Sequence, residues 1–163
     1  MEYFFPCWIA LGMVYTTSEA PSQSYIHKQS KTFAKRISVC NRVANEAVRQ
    51  DVDPILAIAV SKVESGFTTT TVSSKGAKGP LMVMALHHCP NRGKGKCDYV
   101  KAGISALKKV TALHPHDVCQ ALAVYNRGMN GLCKKGRSEY GHAQRILTVY
   151  DTLCSATDFC KSC

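Results

Sequence analysis

One carboxylic acid stands out because a predicted apolar helix leads directly to it. Residues 53–66 read DPILAIAVSKVESG, and Glu64 lies near the end of this segment. Asp53 is a typical helix cap, Pro54 suits the first helical position, and Gly66 is a common helix stop. A carboxyl at the end of a buried helix is costly to ionise, so it is suited to donating a proton as a general acid. A solvated glutamate at a frayed helix end is the alternative.

Three short motifs occur in order from this helix onward. They are ESGF at 64–67, GAKG at 76–79 followed by LMVM at 81–84, and AVYNRG at 123–128. Together they resemble the lysozyme-like lytic transglycosylase family, the group of soluble lytic transglycosylases and goose-type lysozyme-like proteins. The chain departs from that pattern at one position, because Met82 stands where the family usually has glutamine.

The resemblance implies a mainly α, lysozyme-like α+β fold with a small irregular or short-strand lobe beside the cleft. It implies that Glu64 is catalytic and makes four further residues substrate-binding candidates. Three of them have a structural alternative: Ser65 can cap the helix end, Tyr125 can pack in the core, and Asn126 can brace the turn. Met82 cannot make the hydrogen bonds of a glutamine amide, but it offers an apolar face to a sugar ring.

The resemblance also implies the substrate and the reaction. Peptidoglycan glycan strands would be cleaved at the MurNAc-GlcNAc β-1,4 bond, with formation of 1,6-anhydro-MurNAc. This cleavage would open the wall for a secretion, pilus or phage system. This route needs one carboxyl, and the sequence has no other acid between Glu64 and Asp98. Two alternatives stay open: a lysozyme-type hydrolase on the same fold, and a catalytically impaired peptidoglycan-binding or scaffold protein. No cofactor is expected.

Hydrophobic periodicity predicts the elements that position these residues. Apolar residues recur every three or four positions in an amphipathic helix. This spacing predicts helices over 32–49, 98–113, 115–125 and from Ser138 or Glu139 to 153. The polar, β-rich segment 67–75 lacks helical period and corresponds to the expected lobe. Pro80 to Leu86 is predicted to form a short helix that begins at the proline.

The first twenty residues are predicted to be a signal peptide that is cleaved after Ala20. An apolar run from Phe4 to Tyr15 has the length of a signal-peptide core and is short for a membrane span. An uncleaved anchor and a buried apolar arm are the alternatives. We expect a loose linker at 21–31, the lysozyme-like domain at 32–155 and a cysteine-containing tail at 156–163. The mature protein is then periplasmic or secreted, with no stable membrane span.

The cysteine count agrees with export. Nine cysteines occur, and removal of residues 1–20 leaves eight, an even number that indicates a disulfide framework in an exported domain. Metal binding is the competing interpretation, but no zinc-module spacing is present, and no metal site is predicted. Cys89 and Cys97 are the best local pair, and the other connectivity stays open. The eight candidates are Cys40, Cys89, Cys97, Cys119, Cys133, Cys154, Cys160 and Cys163.

The charge is strongly positive. The chain carries 21 Lys and Arg against 11 Asp and Glu, a net charge of +10. Such a charge favours anionic partners such as nucleic acid, membrane surfaces or bacterial wall polymers. The basic residues are scattered and form no recognised nucleic-acid module, so nucleic acid is not expected as a partner. Wall polymers fit better, with secretion-system or pilus components as further candidate partners.

Overall fold

The computed structural model describes residues 4–12, 23–157 and 160, and it is mainly helical in these ranges. A single short hairpin supplies the strands β1 (Ala77–Lys78) and β2 (Val83–Met84), which pair antiparallel. A 3-10 turn, Pro90–Gly93, follows the fourth helix. The helices of the described ranges are α1 (Phe4–Gly12), α2 (Gln23–Arg49), α3 (Pro54–Ser65), α4 (Ala85–His88), α5 (Tyr99–Leu113), α6 (Val118–Arg127) and α7 (Ser138–Ala156).

Helix α3 is the central element, and its predicted ends are confirmed. The Asp53 carboxylate accepts hydrogen bonds from the backbone N–H groups of Ile55 and Leu56, at 2.8 and 3.2 Å. Gly66 ends the helix in the left-handed conformation, with φ at 60°, which glycine adopts without steric cost. Every residue from Ile55 to Ser61 is buried. The helix is therefore enclosed by its neighbours, as its nearly uniform apolar character predicts.

Helices that precede and follow α3 in the sequence enclose it. Helix α3 packs against α2 and α7, and α6 packs against both α7 and α5. The main core lies between these helices and includes one residue of the hairpin turn, Leu81. Burial of such side chains is the main favourable term in folding. The leucine and isoleucine residues of this core are Leu56, Leu81, Ile104, Leu107, Leu122 and Ile146.

The lobe after α3 contains the expected short strands. One predicted helix is replaced there by a turn. The prediction of a helix from Pro80 to Leu86 is wrong, because residues 79–82 form the turn of the β1–β2 hairpin. Gly79 and Met82 both have positive φ, at 79° and 49°, which helical backbone does not allow. The Met82 N–H donates to the carbonyl of Gly79 at 3.1 Å and closes the turn. Pro80 thus serves a turn rather than a helix start.

The segment predicted to be a linker, 21–31, is mostly helical. Helix α2 begins at Gln23 and continues to Arg49, well before the predicted start at residue 32. No glycine or proline occurs between residues 22 and 49, so nothing in the sequence interrupts the helix. A polar segment without an apolar period was mistaken for a linker, although polar residues such as Gln and Lys are good helix formers.

The N-terminal helix packs against the rest of the molecule. Helix α1 contacts α2, α3 and α7, and Cys7, Ala10 and Leu11 are buried there. This arrangement matches the alternative of a buried apolar arm; cleavage after Ala20 stays a prediction. In the described ranges, no helix combines the length and apolar character needed to cross a bilayer.

Four disulfides link the described cysteines. The predicted Cys89–Cys97 pair is confirmed. Cys40 pairs with Cys7 rather than with one of the other seven candidates, because α1 lies directly against α2. Cys163 lies outside the described residues. The two remaining bonds are Cys119–Cys133 and Cys154–Cys160.

Candidate active site

Glu64 lies in the last turn of α3, where the helix meets the lobe. Its side chain is 13% exposed, so the carboxyl is largely enclosed but open to solvent on one side. The buried helix fixes its backbone, and the helix ends at Gly66, two residues later, where the chain enters the lobe. A carboxyl held this way can approach a bound substrate without rearrangement of the main chain.

The carboxyl has a partner that the sequence interpretation missed. Nε2 of His142, in α7, lies 2.9 Å from Oε1 of Glu64, and the His142 side chain is 12% exposed. His142 shares one face of α7 with Ile146 and Tyr150, at steps of four residues. A polar residue on this apolar stripe was the available signal, but the pairing with Glu64 arises only when α7 packs against α3.

Tyr125 of the AVYNRG motif lies near Glu64, but its hydroxyl forms a hydrogen bond with a backbone carbonyl instead. Its hydroxyl donates to the carbonyl oxygen of Leu81 at 2.7 Å. Burial, and secondly the negative charge of Glu64, raise the pKa of Tyr125 well above its ordinary value. The phenol therefore stays protonated at neutral pH and ties α6 to the hairpin turn.

Ser65 joins α3 to the lobe through backbone contacts. Its hydroxyl donates to the carbonyl of Pro80 at 2.9 Å and accepts from the N–H of Thr68 at 3.2 Å. The buried Ser61 hydroxyl, one turn earlier, donates to the same Pro80 carbonyl at 3.2 Å. These bonds fix the hairpin turn relative to Glu64, which corresponds to the structural alternative stated for Ser65 above.

The other two binding candidates lie at different places. Met82 is partly buried in the hairpin turn, between Leu81, whose carbonyl accepts from Tyr125, and strand β2. Asn126 is exposed in the last turn of α6. The contacts of Tyr125 and Ser65 therefore connect Glu64 and the Met82 turn, whereas Asn126 has no described contact with them.

Four other described acids cap helices or have partners of their own. Asp53 is at the opposite end of α3, roughly 16 Å away at the helical rise of about 1.5 Å per residue. Asp98 caps α5 and pairs with Arg42 at 2.9 Å. Asp117 caps α6. Glu139 is bound by Ser138 and Arg137 at the start of α7.

A surface groove lies apart from Glu64. A groove along α2 includes Arg42, Glu46 and Asp98, but none of Glu64, Tyr125 or His142. Among the described residues, no cluster of three or more His, Cys, Asp or Glu side chains is arranged to hold a metal ion. The arrangement at Glu64 is thus one acid with a histidine partner, and it is suited to moving a proton.

Comparison with known proteins adds the family. The transglycosylase SLT domain model matches residues 42–148, which include α3, the lobe, α5, α6 and the first half of α7. No solved structure matches the chain at a significant level. The matched range contains Glu64 and all three motifs, so it confirms the resemblance drawn from them. The chain therefore belongs to the SLT-domain family of lysozyme-like lytic transglycosylases, whose activity is directed at peptidoglycan.

Proposed function

We propose that the protein cleaves the MurNAc-GlcNAc β-1,4 bond of peptidoglycan and forms 1,6-anhydro-MurNAc, with Glu64 as its only acid–base residue. The observation that carries the proposal is the enclosed Glu64 carboxyl, whose described side-chain partner is the imidazole of His142 and not a second carboxyl. Glycosidases that use two carboxyls hold them roughly 5–9.5 Å apart. A single carboxyl instead suits a substrate that supplies its own nucleophile.

Each step of the reaction can use the same carboxyl. Protonated Glu64 gives its proton to the glycosidic oxygen as the bond to the anomeric carbon breaks. The carboxylate then takes the proton of the sugar's 6-hydroxyl, whose oxygen attacks the anomeric carbon. Glu64 gives up one proton and takes up one proton, so it returns to its starting state and water is not consumed.

The surrounding residues would position the sugar rather than transfer protons. We propose that Met82 and Tyr125 border the substrate site, since the Tyr125–Leu81 bond fixes the turn that carries Met82. Ser65 holds that turn from the side of α3. Asn126 is proposed only at the edge of the site, because it is exposed at the end of α6. In the cell, such an activity would act outside the cytoplasm and open the wall for a secretion, pilus or phage system.

Mass spectrometry of the muropeptides released from purified peptidoglycan tests the proposal. We expect products with anhydro ends from the wild type and a rate roughly 10²–10⁴-fold lower for Glu64→Gln, the usual contribution of acid–base catalysis. Asp151→Asn, which removes an exposed acid from α7, is the matched control and should cleave normally.

Other outcomes would identify the alternative functions. Reducing ends in place of anhydro ends would mean that water is the nucleophile and that the protein is a hydrolase. Binding without any cleavage would indicate an impaired wall-binding protein, for which the missing glutamine at Met82 is the sequence support. Cleavage by Glu64→Gln at the wild-type rate would rule out Glu64 as the acid.

A further inference from the structure

We propose that His142 is a positioning residue for Glu64, and that Arg145 holds its imidazole in the neutral form that carries the proton on Nε2. In this arrangement His142 donates to Oε1 of Glu64. Oε2 is then left as the oxygen that exchanges protons with the substrate. The inference rests on the proposed role of Glu64 and assigns a function to a residue outside the three motifs.

The protonation state follows from which atoms can donate. A guanidinium group has only hydrogen-bond donors. Nη2 of Arg145 lies 3.2 Å from Nδ1 of His142, so Nδ1 must be the acceptor and carries no proton. The neutral ring then has its one proton on Nε2, which lies 2.9 Å from Oε1 of Glu64. The chain of bonds therefore runs in one direction, from Arg145 through His142 to Glu64.

Helix α7 supplies the geometry for this chain of bonds. His142 and Arg145 are three residues apart and lie on adjacent positions of one helical face. Ala143 and Ile146, beside them, are fully buried and fix α7 against the core. The ring is thus oriented by a packed helix at one side and by a guanidinium at its far nitrogen. In many active sites, a hydrogen-bond partner at the ring nitrogen that points away from the site fixes the tautomer of a histidine.

A fixed Nε2–H donor would assist both steps of the reaction. When Glu64 loses its Oε2 proton, the new carboxylate retains a hydrogen bond at Oε1, and bonds to ionised acceptors are the stronger ones. When Oε2 takes the proton from the 6-hydroxyl, the same bond keeps the carboxyl in place. The ring gains and loses no proton itself, so the balance of the reaction is unchanged.

The groups around Glu64 define the pH response. Among the described residues, His142 faces it from α7 and Tyr125 faces it from α6, while Arg145 lies behind His142. Burial, with the Tyr125–Glu64 repulsion second, raises the pKa of Tyr125, so this phenol does not titrate in the acidic range. On α3 itself, burial and the charge of Arg36 lower the pKa of Lys62. His142 is the titratable group in direct contact with the Glu64 carboxyl.

The first test replaces the ring. His142→Leu removes the donor and should lower kcat roughly 10–100-fold with little change in KM, as expected for a lost bond to a charged group of about 1.5–3 kcal/mol. His142→Gln places an amide N–H near the position of Nε2 and should restore most of the lost rate. His116→Leu, at an exposed histidine before α6, is the matched control. Equal damage from the Leu and Gln variants, or full activity of His142→Leu, would overturn the proposal.

The second test uses Arg145 and holds even if His142→Leu folds poorly. Arg145→Met frees Nδ1 to take a proton, and the resulting imidazolium would keep Glu64 as the carboxylate, which cannot act as an acid. We expect a loss of kcat on the acidic side of the pH profile that the wild type lacks, and no such loss in the double variant with His142→Gln. An unchanged pH profile in Arg145→Met would overturn the proposed tautomer.

The two proposals can fail separately. Inactive Glu64→Gln together with fully active His142→Leu would leave the acid role of Glu64 intact and remove only the role of His142. Active Glu64→Gln would instead remove the proposed mechanism, whatever the His142 variants do. Circular dichroism at helical wavelengths on every variant separates lost chemistry from lost folding.

Discussion

At the scale of single residues, the hydroxyl of Tyr125 joins the site to the core. It donates at 2.7 Å to the carbonyl of Leu81, a fully buried residue. Tyr125→Phe leaves that carbonyl without its donor, and an unsatisfied buried group costs about 1–3 kcal/mol. We expect the free energy of unfolding to fall by this amount in urea denaturation.

The pH dependence provides an independent readout of the same hydroxyl. The raised pKa means that the folded protein retains the Tyr125 proton at pH values where the unfolded chain loses it. Its contribution to stability is complete below about pH 10 and declines as the pH rises further. The difference in stability between wild type and Tyr125→Phe should therefore narrow above pH 10. Tyr140→Phe, on the first turn of α7, serves as the control, and an equal effect there would contradict the assignment.

The sequence points to Glu64 but not to its partner. Glu64 could be identified because local signals surround it: a helix cap, an apolar helix and a glycine stop, all within fourteen residues. His142 lies 78 positions further along the chain, and only the packing of α7 on α3 brings it to Glu64. Ser65 and Tyr125 were identified by motif, yet the described bonds of their hydroxyls go to backbone atoms. The motifs thus point to Ser65 and Tyr125 without indicating which atoms their hydroxyls contact.

At the scale of elements, the long helices could be predicted and the hairpin could not. Helices α3, α5 and α7 were found within a few residues because caps and periodicity mark them locally. The β1–β2 hairpin has two-residue strands, too short to show any alternation, and its proline resembled a helix start. The start of α2 was missed because its first turns have no apolar stripe. Positive φ angles at Gly79 and Met82 decide the hairpin turn. The early start of α2 depends on the absence of glycine and proline between residues 22 and 49.

The turn of the hairpin offers a paired test of why glycine is needed there. Gly76 and Gly79 have similar φ angles, 82° and 79°, but a Cβ on Gly79 would lie 2.4 Å from Cβ of Tyr99, whereas a Cβ on Gly76 meets open space. Gly76→Ala should cost about 1–2 kcal/mol from backbone strain alone. Gly79→Ala should cost a further 1–3 kcal/mol from overpacking, by the usual range.

Urea denaturation of both glycine variants measures the difference. Because the Gly79 turn carries the Leu81 carbonyl that binds Tyr125, Gly79→Ala should also lower cleavage, and Gly76→Ala should not. Equal costs at the two positions would mean that the lobe moves away from α5 to accommodate the new methyl group.

At the scale of the whole molecule, the four described disulfides close loops of very different length. The loops they close span 33, 14, 8 and 6 residues, for Cys7–Cys40, Cys119–Cys133, Cys89–Cys97 and Cys154–Cys160. In the loop-entropy account, a longer loop gives greater stabilisation because it restricts the unfolded chain more. The bond between α1 and α2 should therefore contribute most, although this pair was not anticipated from the sequence.

This ranking gives a test of whether α1 is part of the folded unit. In the full chain, Cys7→Ser with Cys40→Ser should lower the free energy of unfolding by roughly 4 kcal/mol, against about 3 kcal/mol for the same change at Cys119 and Cys133. The loss at the first pair should be larger still if α1 then separates from α3 and α7, since Leu11 and Cys7 are buried there. Peptide mapping without reductant should recover a linked Cys7–Cys40 peptide from the wild type.

The outcome also bears on processing of the N-terminus. A chain that begins at Pro21 lacks Cys7, so the thiol of Cys40 should become reactive on unfolding, while the three other bonds persist. If the full chain and the shortened chain unfold at the same urea concentration, α1 contributes nothing and a removable signal peptide explains residues 1–20 better. If the full chain is more stable by the expected amount, the apolar segment is a structural arm that packs on α3 and α7. The described partner of the Glu64 carboxyl is His142 of α7 rather than a residue of α1, so cleavage by the two chains should differ only through stability.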